Sequence, residues 1–360
     1  MSVARRSFLL ALAGLLVDSR SGLAERGGSQ TAHRTEKTAF VNLIGSLQNP
    51  YHRWWSKGGE TCAAAFKAPY VLLESEGLFS KNGLPKLSSE IAKTNGNIVL
   101  NLDAPPETEF VTLEDMCANH RVYFVTQNNM PPAALRPWAR SRYYVAHIAF
   151  DQRLAGLRTA QHLLASIGGQ GGIVALSGKQ NEVSSSERLA GLQAALSSTK
   201  KCFLLEPAVS AEWHISTAYD IMRRLIAEHG IGRIKGVWAA NDAMALGAIE
   251  ALRLYGRAVP VTGMDGTGQA IDAIQSGNMA ATVVWDSFWQ GGIGLALAIC
   301  AKNGLIDILN ETHAHRAFYA PFHFVTADNV LSFIEYRDAK QPLTDWRDFW
   351  GHSTGAIPEG

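Results

Sequence analysis

The 360-residue sequence lacks an excess of either charge, because 33 Lys and Arg side chains oppose 32 Asp and Glu side chains for a net charge of +1. This balance gives no reason to expect a nucleic acid or an acidic surface as a partner. Cysteine is scarce, and its four positions, Cys62, Cys117, Cys202 and Cys300, match no metal-ligand spacing. An oxidising compartment would permit a disulfide. We expect no obligatory disulfide, because three of the four cysteines fall on predicted helices, where buried free cysteine is common.

Motifs of catalysis and of cofactor binding are also missing. No Ser-His-Asp order, nucleophile elbow or paired-carboxylate motif stands out. The glycine-rich loop at 168–172 lacks the Lys-Ser/Thr that a phosphate-binding loop needs. His313 and His315 have no third metal ligand nearby. We therefore expect a protein without catalytic residues, metal or cofactor, rather than an enzyme.

Hydrophobic runs long enough to cross a membrane are absent, and a short apolar run lies near the N-terminus. Two arginines at 5–6 precede an apolar run at 8–17 and small residues at 22–24. This order is typical of a secretory signal peptide, here residues 1–24, cleaved near Ala24. Residues 4–9, ARRSFL, partly match a twin-arginine export pattern, so the Sec and Tat routes both stay open. We expect a soluble mature protein in the periplasm.

What the sequence does contain is an α/β alternation in two series. Hydrophobic residues make up 47% and charged residues 18% of the chain, which is ordinary for a globular protein with room for two lobes. The segment Phe40–Phe66 opens the first series with a buried strand, a polar turn and a helix. Similar units recur along the chain, ending with a predicted helix at Gly291–Lys302. The alternation predicts two doubly wound parallel-sheet lobes, each sheet covered by helices on both faces.

Polar and aromatic side chains collect where the predicted strands end, which is the edge at which open α/β sheets bind ligands. In the first lobe these are Asn49, Tyr51, His52, Gln127 and Asn128. In the second lobe they are Arg188, Trp213, Asn241, Asp265 and Trp285. Flat rings can cover the C–H faces of a sugar, while Asn, Asp and Arg pair with adjacent hydroxyls. The set favours a neutral, polyhydroxylated ligand in a cleft between the lobes.

Simpler roles compete with ligand binding at several positions. Asn49 could be a plain helix cap, and at least one of Trp54 and Trp55 is expected to pack between helices. Of the neighbours Asn241 and Asp242, we expect Asp242 to cap the following helix and Asn241 to contact the ligand. Trp213 and Trp285 could be core residues, and Arg188 a surface ion pair.

The sequence resembles the type I periplasmic binding proteins, sugar-binding branch, which share their fold with repressors of the lactose-repressor type. The pieces that carry the resemblance span nearly the whole mature chain in order. They are QNPYH at 48–52, Asp151 with Gly156, Gly178 with ERLAG at 187–191, ANDAMALGA at 240–248, GMDG at 263–266, and IQSG at 274–277 with ATV at 281–283.

The resemblance implies the roles of individual residues. Asn241 and Asp265 would be paired contacts to ligand hydroxyls. Arg188 would also bind hydroxyls, and Trp213 would stack on the ligand. Apart from the resemblance, we expect His52 to support these contacts rather than to make one.

Two departures from the family pattern stand out. Asn128-Asn129 stands in the place of the usual Asp-Arg pair after the fourth strand. Gln127-Asn128 there resembles instead the branch of the autoinducer-2 receptor, but Trp285 stands where that receptor has a second arginine.

The resemblance also implies lobes, a hinge and partners. The first lobe would comprise 38–148 and 286–314, the second 149–285 and 315–335, and the tail 336–360. The chain would cross between lobes near 147–150, 285–287 and 313–316. The protein would be a monomer that delivers its ligand to an ABC permease in the inner membrane. A sensor for a membrane histidine kinase is the alternative, whereas a repressor would need a DNA-binding helix-turn-helix where the export signal stands.

Overall fold

The structure is a computed structural model that describes residues 37–47, 49–75, 79–128, 141–180, 182–338 and 344–359. The predicted signal peptide lies outside the described residues, as does most of the segment 131–142, whose three prolines predict a loop.

The first sheet has the strand order β14-β12-β5-β4-β3-β1-β2, and all its pairings are parallel except that of β14 with β12. Its strands, numbered in chain order, are β1 (Ala39–Ile44), β2 (Tyr70–Glu74), β3 (Ile98–Asp103), β4 (Tyr123–Gln127), β5 (Tyr144–Ala149), β12 (Ala317–Tyr319) and β14 (Gly355–Ala356). Strand β1 is buried along its whole length, as expected for a central parallel strand covered on both faces.

The second sheet has the order β13-β11-β10-β9-β6-β7, with β8 also pairing with β6, and only β13 runs antiparallel to its neighbour. Its strands are β6 (Gly171–Ser177), β7 (Cys202–Leu204), β8 (Val209–Ser210), β9 (Ile234–Ala239), β10 (Val261–Thr262), β11 (Ala281–Trp285) and β13 (Phe322–Thr326). The two sheets confirm the predicted two-lobe α/β fold.

The helices follow the strands and cover the sheets. They are α1 (Pro50–Ala65), α2 (Leu84–Lys93), α3 (Glu107–His120), α4 (Gln152–Ser166), α5 (Val183–Ser197), α6 (Ile215–His229), α7 (Asp242–Arg253), α8 (Gly268–Gln275), α9 (Ser287–Lys302), α10 (His313–Arg316) and α11 (Val330–Asp338). Single π-helical and 3₁₀ turns lie at Phe79–Gly83 and Ile231–Arg233. Within the described residues, no helix is both long enough and apolar enough to cross a membrane.

Side-chain caps fix where the helices of the site begin. The Asn49 Oδ1 accepts a hydrogen bond from the Tyr51 amide at 3.0 Å, and the Asp151 Oδ1 accepts one from the Leu154 amide at 2.7 Å. Asp286 caps α9 in the same way, so that this helix begins four residues before the predicted start at Gly291. Each cap satisfies a backbone N–H that would otherwise lack an intrahelical partner.

The chain crosses from one sheet to the other at three places, and two of them lie near the predicted positions. The chain leaves the first sheet after β5 and returns to the first lobe after β11, near the two predicted crossings. The third passage lies between Tyr319 and Phe322 rather than at 313–316, because β12 pairs in parallel with β5 in the first sheet. The segment 315–319 therefore belongs with the first sheet, not with the second lobe.

The tail packs back on the first lobe. Trp346 is buried in the same core cluster as Phe288 of α9, and β14 extends the first sheet beside β12. The two histidines considered as metal ligands hold this tail. His313 contacts the Ile357 carbonyl, and the ring of His315 stacks on Trp350 with centroids 3.9 Å apart.

Candidate functional site

A cavity of about 680 Å³ lies between the two lobes. The first lobe contributes the start of α1 with Asn49, Tyr51 and Trp54. The second lobe contributes the turn at 265–268, the end of β11 with Trp285, and part of α11. The size is within the range of pockets that enclose small organic ligands, so the strand ends of both sheets meet at a ligand-sized space.

Tyr51 anchors the first-lobe wall of the cavity. Its hydroxyl donates to the Asn128 Oδ1 at 3.1 Å and also contacts the side-chain amide of Gln290 on α9. Burial and, after it, the charge of Asp103 raise the pKa of Tyr51 well above its ordinary value. The hydroxyl therefore remains a donor at any physiological pH, and the ring keeps one orientation at the cavity wall.

Asp103, at the end of β3, organises the turn behind Tyr51. It accepts a hydrogen bond from the His52 Nε2 at 2.7 Å and another from the Asn128 amide. Burial lowers the pKa of His52, but the hydrogen bond and charge of Asp103 outweigh burial, so the pKa is raised. The protonated ring can also donate from Nδ1 to the Ser46 carbonyl at 3.1 Å. His52 supports this turn and does not line the cavity.

Gln127 is placed away from the cavity, which corrects its prediction as a ligand contact. Its side chain is completely buried. The Nε2 donates to the Asn101 Oδ1 and to the Gln290 carbonyl, both at 2.6 Å. Asn101 in turn donates to the Asn42 Oδ1 at 3.1 Å, and Asn42 donates to the Gly291 carbonyl. These amides on β1, β3 and β4 hold the first turn of α9 against the sheet.

Arg188 is buried next to Asp265 and Trp285 of the second-lobe wall and does not itself line the cavity. Its Nη1 donates to the Ala240 carbonyl at 2.6 Å and to the Asp265 Oδ1 at 3.2 Å. The guanidinium carbon lies 5.4 Å from the ring centroid of Trp213 and 5.3 Å from that of Trp285. Two indole rings therefore flank the cation within cation–π range, which fixes the guanidinium plane.

Asp265 presents a carboxylate to the cavity. Its Oδ1 accepts from Arg188 and from the Trp285 Nε1 at 3.1 Å. The side chain remains 35% exposed and lines the cavity. The Oδ2 atom is therefore available to accept a hydrogen bond from a ligand hydroxyl.

Trp213 covers Arg188 rather than lining the cavity. Its Nε1 donates to the Glu182 Oε2 at 2.7 Å. The ring packs on Gly178, where a Cβ in place of the glycine hydrogen would lie 2.0 Å from the ring. The glycine that carries part of the family resemblance is thus needed for this indole to approach.

Strained backbone marks three of the predicted site residues. Asn128, Trp213 and Asp265 have φ angles of 67°, 70° and 117°. Side chains with a Cβ rarely adopt positive φ, and such residues cost roughly 1–3 kcal/mol each and concentrate at ligand sites. Four other described non-glycine residues outside the predicted site also have positive φ, so these angles alone do not mark a ligand site.

The roles of Asn241 and Asp242 differ from the prediction. Asn241 is the cap of α7, because its Oδ1 accepts from the Met244 amide at 2.9 Å. Asp242 is the first helical residue and is completely buried. Asn241 keeps one further link to the site, since its Nδ2 donates to the Trp213 carbonyl at 3.4 Å.

The tryptophan pair of α1 divides between core and cavity. Trp55 is completely buried, as expected for a packing residue, whereas Trp54 is 40% exposed. Trp54 lines the cavity together with Tyr51. The expectation that at least one of the two tryptophans packs in the core is met by Trp55.

A group of metal-binding residue types in the described residues, Glu206, Glu228 and His229, lies outside this cavity. Arg224 donates to both carboxylates, at 2.9 and 2.6 Å. The hydrogen bond from Arg224 lowers the pKa of Glu206. The guanidinium already compensates the charge that a cation would neutralise.

Comparison with known proteins identifies the family. The sequence profile described as periplasmic binding protein domain matches residues 120–304, just over half of the chain. The chain belongs to this family. The predicted resemblance to periplasmic binding proteins is confirmed.

Individual relatives agree with this assignment. The periplasmic binding protein is 26% identical over 254 residues to the ribose import binding protein of Escherichia coli, covering 70% of this chain and 81% of the relative. A solved structure described as a twin-arginine translocation pathway signal protein from Burkholderia phytofirmans is 38% identical, with a TM-score of 0.75, over 89% of this chain and 99% of its own.

A more distant structure shows the shared fold. It is an ABC transporter periplasmic solute binding protein from Actinobacillus succinogenes with bound D-allose. It has a TM-score of 0.64 and 21% identity over 82% of this chain and 100% of its own.

Several residues that organise the site in this periplasmic binding protein escaped prediction from the sequence. Asp103 had a visible signal, because it ends a strand just as the other candidates do. Gln290 had none, because it lies in a helix that the sequence predicted to begin only at Gly291. Asn42 and Asn101 are polar residues inside apolar strands. Because buried amides need hydrogen-bond partners, these two residues could have indicated that a polar backbone segment, here the start of α9, packs against the strands.

Proposed function

We propose that this chain is a periplasmic solute-binding protein that captures a sugar or sugar-like polyhydroxylated molecule in the cavity between its lobes. The observation that carries the proposal is the arrangement of Arg188, Asp265 and Trp285. A carboxylate fixed by a flanked guanidinium accepts a hydrogen bond from the indole N–H of Trp285 at the cavity wall. This combination offers directional hydroxyl partners and an apolar surface for C–H groups.

The ligand contacts we propose are Asn49 and Tyr51 from the first lobe and Asp265 and Trp285 from the second, since all four line the cavity. Arg188 would reach the ligand through its Nη2, because Nε and Nη1 are used within the protein. Asn128, Trp213 and Asn241 would hold these contacts in place. A site that pairs hydroxyls discriminates against ligands that lack them.

We further propose delivery to an ABC importer and export to the periplasm. The ribose relative is named for import and the allose-bound structure for an ABC transporter, which supports an importer rather than the alternative of a kinase-linked sensor. Of the two export routes, the relative described as a twin-arginine translocation pathway signal protein favours Tat, in agreement with the arginine pair at 5–6. We propose that the protein acts as a monomer and a carrier, with a permease as its partner.

A thermal-shift screen over pentoses, hexoses and polyols tests the ligand class. A ligand at 100 times its Kd should stabilise the native state by about 2.7 kcal/mol, which raises the melting temperature measurably. Arg188→Lys should abolish most of this shift, because an ammonium cannot reproduce the planar fork or its packing between indoles. Arg223→Lys, on an exposed surface of α6, is the matched control and should keep it. A screen in which no such compound shifts the melting temperature would contradict the proposal.

A further inference from the structure

The cavity has two chemically different parts. One part contains the polar groups proposed to bind hydroxyls, among them Asp265. The other contains the rings of Trp54 and Phe288 of the first lobe and of His323, Phe333 and Tyr336 of the second. We call these five residues the aromatic compartment. At roughly 30 Å³ per water-sized group, the 680 Å³ cavity has more room than the ring of one monosaccharide fills.

The aromatic compartment exposes more ring surface than folding requires. Trp54 is 40% and Tyr336 is 42% exposed, which sets them apart from the buried aromatic side chains of both cores. The ring of Trp54 meets Phe288 edge-on with centroids 6.3 Å apart, and Tyr336 packs against His323 at 5.0 Å. Each exposed ring is therefore supported from behind while one surface remains open to the cavity.

The two charged side chains that line the compartment, Asp286 and Arg337, make contacts within the protein. The Asp286 Oδ1 accepts from the Trp289 amide at 3.0 Å, and its Oδ2 lies 3.6 Å from the His323 Nε2, a buried atom with no hydrogen-bond partner among the described residues. Arg337 donates to Asp338 at 2.8 Å. Each hydroxyl of a second sugar ring that found no partner against the rings would cost about 1–3 kcal/mol. A planar apolar group needs only the ring faces.

We propose that the ligand of this protein is a polyhydroxylated ring bearing an aromatic or similarly flat apolar substituent. The ring is bound in the part that contains Asp265, and the substituent is held in the aromatic compartment between Trp54 and Tyr336. This inference rests on the proposed function, because it divides the same cavity into a hydroxyl-binding part and a substituent-binding part.

Paired glycosides test the division. Isothermal titration calorimetry would compare methyl and phenyl β-D-glycosides of ribose, allose and galactose. In at least one pair we expect the phenyl glycoside to bind at least tenfold more tightly than the methyl glycoside. Trp54→Ala and Tyr336→Ala should each bring this ratio close to one. Tyr255→Ala removes an equally exposed ring, at 46%, outside the cavity and should leave the ratio unchanged.

The outcomes separate the two proposals. Binding of free sugars or methyl glycosides with a phenyl-to-methyl ratio near one in the wild type overturns the inference and leaves the proposed function standing. A ratio that falls equally in Tyr255→Ala also overturns it. If no free sugar and no glycoside binds, the proposed function fails and the inference fails with it.

Discussion

At the scale of single residues, Asp242 connects the stability of the second lobe to the site. Its carboxylate accepts from the Thr282 hydroxyl at 2.6 Å and from the Thr267 amide at 2.8 Å. It thereby ties β11 to the turn that carries Asp265. Burial and, after it, the charge of Asp265 raise the pKa of Asp242 to about 7.

This raised pKa predicts a pH-dependent stability. The folded state holds the proton more tightly than the unfolded chain, so the contribution is complete below the unfolded pKa and is lost as pH rises through about 7. Between pH 5 and pH 8 we expect Asp242 to lower the free energy of unfolding by roughly 2–3 kcal/mol. Urea unfolding of the wild type and of Asp242→Asn at both pH values measures this, and the variant should show a flatter dependence.

The test compares how the free energy of unfolding changes with pH in the two proteins, rather than its value at one pH. The reason is that the asparagine also changes one hydrogen bond at every pH. His52 titrates in the same direction, since its pKa is also raised, but it contributes equally to both proteins. Equal slopes in wild type and variant would show that Asp242 does not titrate in this range.

The sequence motifs single out Arg188 and Asp265 as candidates, and in the structure these two side chains are joined by a hydrogen bond of 3.2 Å. Gln127 and Asn128 are neighbours at the end of β4, where successive side chains point to opposite faces, so a step of one residue decides between core and cavity edge. The same single step separates the cap Asn241 from the buried Asp242. Composition and order in the sequence do not contain that information.

At the scale of secondary structure, the crossing of α1 and α9 positions the first-lobe wall. A Cβ on Gly58 would lie 1.8 Å from the Phe288 carbonyl oxygen, and one on Gly291 would lie 2.0 Å from the Trp55 carbonyl oxygen. The two helix backbones are thus in direct contact. Gly291, at which the sequence predicted this helix to begin, is required by this packing, which only the folded chain reveals.

Gly58→Ala should therefore destabilise the protein. The added methyl meets backbone rather than a flexible side chain, so the helices must move apart, at a typical cost of about 1–3 kcal/mol. Differential scanning calorimetry would show a lower melting temperature. Gly232→Ala is the matched control, because its Cβ would enter open space. A melting temperature for Gly58→Ala equal to that of Gly232→Ala would contradict the inferred backbone contact.

At the scale of the whole molecule, the alternation of strands and helices was sufficient to predict two lobes, whereas the edges of the sheets were not predictable. Strand β12 has three residues and β14 has two, which is too short for a periodic pattern to be recognised. Their pairing with β5 and with each other depends on contacts far apart in sequence. For this reason the third passage between lobes was placed too early and the tail had no assigned partner.

The cavity walls come from different lobes. This predicts that ligand binding changes how the two lobes are arranged relative to each other. Tyr51 and Asp265 line one cavity from opposite sheets, and a ligand that contacts both favours the closed arrangement by its differential affinity. Small-angle X-ray scattering with a saturating ligand from the thermal-shift screen should show a smaller radius of gyration than without it. Arg188→Lys at the same ligand concentration should keep the larger radius, and Arg223→Lys should behave as the wild type. An unchanged radius while calorimetry shows full binding would mean that the lobes already have their ligand-bound arrangement before the ligand arrives.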